Sequence, residues 1–94
     1  MASETIKQLH EIYHTVVSVT TDNNNGRTIT IQDDHILMTS YVIVTEKYTS
    51  GNAIGWFFVL SGVASGVARF YVKKYDGTWP DVNTPITLNV LIVN

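Results

Sequence analysis

Residues 86–93, Ile-Thr-Leu-Asn-Val-Leu-Ile-Val, end the chain on an apolar run that alternates with period two. In an extended backbone, Ile86, Leu88, Val90 and Ile92 project to one side, and Thr87, Asn89, Leu91 and Val93 to the other. The first set is wholly aliphatic and predicts a strand with that side on a core. The second set is itself half apolar. This predicts a strand covered on both sides, or one that ends in an interface between copies of the chain.

The same pattern recurs upstream. Residues 67–75 place Ala68, Phe70 and Val72 with Lys74 on one side, and Arg69, Tyr71, Lys73 and Tyr75 on the other. Asp76-Gly77 signals a turn. Residues 79–85, Trp-Pro-Asp-Val-Asn-Thr-Pro, read as a rigid surface loop, because Pro80 and Pro85 fix φ, lack an N–H and fit no central strand. Residues 56–60 are a short apolar strand in which Trp56 is assigned to the core, and the Gly-rich residues 61–66 are a bend. Residues 36–45 read as one long strand, with Tyr41 and Ile43 on one side and Val42 and Val44 on the other, which suits a central strand or one covered by a partner. The β-branched residues 15–21 and the alternating residues 27–32 flank the Asn-rich residues 22–26 and read as a β-hairpin.

Only the N-terminus shows a helical period. Ile6, Leu9, Tyr13 and Val16 would form an apolar stripe behind Ser3 as N-cap. Residues 4–12 are predicted as a short helix within an arm of residues 1–14; the alternative extends the next strand backwards. The fold class is therefore mainly β: about six antiparallel strands in a small sandwich or partly open barrel, with this helix in front. No repeat or linker divides the chain, so residues 1–94 are expected to be one domain.

Composition narrows the function. Charged residues are 15% of the chain, against about 25% in ordinary soluble domains. The polar surface must rest on Thr, Asn, Ser and Tyr, which suits sugars or close protein contacts and suits phosphate backbones poorly. With six Lys and Arg in all, the strand side of Arg69, Tyr71, Lys73 and Tyr75 is too small an electrostatic footprint for nucleic acid. There is no cysteine, hence no disulfide and no thiolate metal centre. The N-terminus does not resemble a secretory signal and the longest apolar stretch is too short to span a bilayer, so a soluble chain, cytoplasmic or released without a classical signal peptide, is expected.

The sharpest chemical motif is His10-Glu11-Ile12-Tyr13-His14, a formal His-Glu-x-x-His pattern. On a helix it would place two imidazoles on one face with a carboxylate as general base, and Asp33, Asp34 or His35 could supply a third metal ligand. A 94-residue chain offers little body for a cleft, and the pattern is read as fortuitous, with no metal and no cofactor expected. No Ser lies in a nucleophile elbow, and Asp33 and Asp34 would diverge on a strand. No enzymatic activity is expected.

A binding role remains. Trp79 sits in a turn-rich loop where burial is hard to complete, and Asp76, Asp81 and Asn83 could satisfy hydroxyls around a sugar stacked on its ring. Asp76, Trp79, Asp81 and Asn83 are the candidate ligand-binding residues of a lectin-like, carbohydrate-binding module. The alternative is a homo-oligomer: a self-associating shell, virion or filament subunit. A third reading is an inhibitor or toxin-like protein that presents the loop of residues 80–85.

Overall fold

The computed structural model of the chain describes residues 11–23, 27–47 and 55–94. Two antiparallel sheets face one another. One holds three strands in the order β1 (Ile12–Thr20), β7 (Pro85–Val93), β4 (Tyr41–Glu46). The other holds four, in the order β2 (Asp22–Asn23), β3 (Arg27–Gln32), β6 (Val67–Lys74), β5 (Trp56–Ala64). The architecture is thus an open sandwich and not a closed barrel. Among the described residues there is no helix, and hence none long and apolar enough to cross a membrane.

The core lies between the sheets, where the period-two pattern places it. Ile86, Leu88, Val90 and Ile92 of β7 face Ala68, Phe70 and Val72 of β6 and Ile29 and Ile31 of β3, and all are buried. Trp56, read as core, is half-buried at its margin and donates its indole N–H to the Glu46 carboxylate at 2.9 Å. Aliphatic residues on the inner side of β7 explain its central position. Pro85 opens this central strand, against expectation, and its register explains why. Thr87, also odd-numbered, accepts from Lys47 on the β4 side, so the missing N–H of Pro85 would point beyond the end of β4.

Three further expectations are corrected. Residues 15–21 and 27–32 do not form a hairpin: β1 pairs with β7 along its whole length, and β3 pairs with β6 in the other sheet. The chain passes between sheets at Thr21. Residues 36–45 are not one central strand. Ser40 donates its N–H to the Leu37 carbonyl at 2.9 Å, and its hydroxyl accepts from the Leu37 N–H at 2.7 Å, closing residues 37–40 into a turn. The strand starts only at Tyr41 and lies at a sheet edge. Finally, β5 runs on through the predicted bend to Ala64, with a bulge between Leu60 and Gly62. The turn falls at Ser65-Gly66, where Gly66 takes a φ of 79°. The predicted helix over 4–12 lies mostly outside the described residues, but Ile12 already belongs to β1, which starts earlier than residue 15.

Thr21 pins the long β6–β7 connection. Its buried hydroxyl donates to the Asp81 carbonyl at 2.5 Å and accepts the Thr84 N–H at 2.9 Å. Its backbone N–H and C=O bond the carbonyl of Thr84 and the N–H of Asn83. Arg27 adds a bond to the Pro80 carbonyl at 2.8 Å, and Pro80 itself is buried. Thr21→Val keeps the volume and strands the Thr84 N–H, while the Asp81 carbonyl keeps the Thr84 hydroxyl at 2.6 Å, so it is expected to cost about 1–3 kcal/mol. A lower urea midpoint at unchanged slope is the measurement that checks it.

Candidate functional site

The outer side of the three-stranded sheet is an exposed apolar face. Directly opposed residues of neighbouring strands share a side, so the registers line up Ile12–Val93–Tyr41, then His14–Leu91–Ile43, then Val16–Asn89–Thr45. Ile12, Tyr41 and Ile43 are 61%, 74% and 52% exposed, and Val16 is exposed as well. No Asp, Glu, Lys or Arg of β1, β4 or β7 points outward on this face. Glu46 lies on the inward-facing parity of β4, and Lys47 stands just past the strand, at the rim. Its polar groups are the exposed His14 imidazole, the Tyr41 hydroxyl and, at the far end, hydroxyls and one amide, where the Ser18 and Thr87 hydroxyls bond each other at 3.3 Å.

A second apolar feature sits on the outside of the other sheet. Phe57, Val59, Tyr71, Lys73 and Trp79 line a groove of about 250 Å³. Trp79 is half exposed, and the Lys73 ammonium lies 4.6 Å from its ring centroid. Trp79 thus packs against the sheet exterior; the alternative open to a tryptophan in this loop, folding back as a lid over the core, is not what the groove shows.

The residues proposed with Trp79 do not line this groove. Asp76 closes the β6 turn: its carboxylate accepts the Thr78 hydroxyl at 2.6 Å and the Thr78 N–H at 3.0 Å, which hold it below the usual carboxylate range. Asp81 and Asn83 turn their main chains inward onto Thr21, and Asn83 does so with a φ of 66°. The Asn-rich segment from Asp22 to Arg27 also offers polar side chains for a ligand; its residues 24–26 lie outside the described residues, and Arg27 bonds Asn23 Oδ1 at 2.7 Å.

Asp33 and His35 form the sandwich's closest approach to a catalytic pair. Asp33 Oδ1 lies 2.8 Å from both the backbone N and Nδ1 of His35. The backbone bond foremost, then the ring bond, lowers the Asp33 pKa against a partial offset from burial. The Tyr13 ring stacks on the imidazole at 3.8 Å. Asp34 is exposed and takes no part in this pair. Ser65 lines the same open depression, but no hydrogen bond joins its hydroxyl to His35 among the described residues. The geometry is that of a turn held by an Asp side chain.

The metal reading of His10 and His14 required a helical turn. His10 lies outside the described residues, while Ile12, Tyr13 and His14 are extended in β1. No group of three metal-ligating side chains occurs among the described residues.

Comparison of the chain with protein-family models, curated proteins and solved structures finds no match.

The sequence already signalled the apolar face through Leu91, Val93, Tyr41 and Ile43. It did not signal that Ile12 and Val16 join them, because β1 was paired with β3 in that reading. Phe57 and Val59 were missed as surface residues. An apolar run reads as core, and only its place at a sheet edge exposes the outer side.

Proposed function

We propose that the chain is a non-enzymatic structural module that associates with itself through the outer face of the β1–β7–β4 sheet, as a shell, virion or filament subunit does. One observation supports this reading above the others: a continuous exposed apolar face without a single outward charge on its strands. Contiguous apolar patches of this kind mark interaction surfaces. With no Asp, Glu, Lys or Arg on its strands and Lys47 only at its rim, the face meets its own copy with little like-charge repulsion, which favours a twofold contact. The experiment is sedimentation velocity across a salt series. Association is expected to persist from about 0.05 M to about 1 M NaCl, since apolar contacts are not screened. Dissociation as salt rises would instead assign the contact to charged surfaces.

A second reading keeps a ligand at Trp79. Its half-exposed ring and the groove beside it favour a stacked or apolar ligand. A sugar is less well served, since the nearby carboxylates and amide do not line the groove. Trp79→Ala is expected to leave the fold within about 1 kcal/mol of wild type, because an exposed cation–π contact is worth about 0.5–1 kcal/mol. A glycan titration of both proteins decides: binding by wild type that the variant loses supports a lectin-like site, and no binding by either removes it.

A further inference from the structure

We propose that β1 pairs antiparallel with β1 of a second copy, in the register that sets Val16 opposite Val16, so that two three-stranded sheets become one continuous sheet. The inference rests on the self-association just proposed and names the edge through which it begins.

Among the described residues four strands lie at sheet edges, and three of them carry devices that discourage pairing. β2 is two residues long. β5 has its bulge between Leu60 and Gly62. β4 is six residues long, ends on Glu46 and is followed by Lys47. β1 has none of these. Its nine residues, Ile-Tyr-His-Thr-Val-Val-Ser-Val-Thr, include no Asp, Glu, Lys, Arg, Pro or Gly, and its pairing to β7 runs without a shift.

The hydrogen-bond phase makes this edge self-complementary. Glu11 accepts from Asn94 at 2.9 Å and Thr21 donates to Thr84 at 3.0 Å, so the odd-numbered residues bond toward β7. The N–H and C=O groups of Ile12, His14, Val16, Ser18 and Thr20 therefore point away from the sheet. With Val16 on Val16, His14 meets Ser18 and Ile12 meets Thr20 of the second copy, and the free groups exchange about ten hydrogen bonds. On the inner side Tyr13 meets Val19 and Thr15 meets Val17, so no charge opposes a like charge.

Area gives a reason for the pairing. Two strands of nine residues and one of six, about 4.8 Å apart, make a footprint of about 390 Å². A standard interface needs about 800 Å² from each partner. Joining two sheets at β1 gives about 780 Å² of continuous face, close to that size. Edge pairing thus comes first and makes face stacking sufficient.

The chain has no cysteine, so single thiols report the register. Val16→Cys, Ile12→Cys and Thr45→Cys are each placed in the 94-residue chain that also carries Ile43→Lys, which suppresses stacking. Each is treated with a short bis-maleimide. Val16→Cys is expected to cross-link to a dimer at least about tenfold faster than the other two, because residue 12 would lie about 27 Å from its own copy. Equal rates at positions 16 and 12, with wild type still associating, would overturn the edge pairing and leave self-association standing. A wild type that sediments only as monomer would overturn both.

Discussion

Leu88→Ala is expected to lower the unfolding free energy by about 3–5 kcal/mol, the range for a buried leucine truncated in a core that cannot collapse around it. Leu88 has no exposed surface and lies in the central strand of its sheet, opposite Val17 on one side and Glu46 on the other. A domain of this size holds about 5–15 kcal/mol in total. The loss corresponds to a fall in Tm of about 15–30 °C. Leu91→Ala, three residues on and facing outward, removes the same atoms from a half-buried site and is expected to cost about 1 kcal/mol. Equal losses in a urea titration would contradict the assignment of the two sides of β7.

Ile43→Lys is expected to leave the folded domain within about 0.5 kcal/mol of wild type, since the side chain is half exposed and lysine is tolerated on an edge strand. Its effect on assembly is large. In a twofold stack the ammonium must be buried without a partner on both sides, at several kcal/mol, so stacking weakens by about 10²–10³-fold. Particles should then stop at the edge-paired dimer, because β1 is untouched. The mass distribution from sedimentation checks it. Growth as extensive as that of wild type would remove the face from the contact.

Much of the sandwich is legible in the sequence wherever one side of a strand is uniformly aliphatic. β6 and β7 keep the faces expected of them because Ala68, Phe70 and Val72, and Ile86 to Ile92, permit only one orientation. Strand partnership is less legible. Residues 15–21 and 27–32 are close in sequence and hairpin-like, yet Thr21 sends them to opposite sheets. The deciding bonds run to Asp81 and Thr84, some sixty residues away. The end of residues 36–45 as a strand was hidden for the same reason: Ser40 is tied to the Asn94 side chain, which in turn holds the His35 carbonyl at 2.9 Å. The candidate site followed suit. Trp79 stands out in the sequence as a ring in a turn-rich loop, but its neighbours come from β5 and β6 and not from its own loop.

The measurement that tests self-association most directly is the mass of the wild-type chain by light scattering as its concentration is raised. The account predicts a mass that leaves the 10.5 kDa of one chain and climbs through the dimer to larger particles. A mass that stays at one chain up to the highest concentration would contradict it.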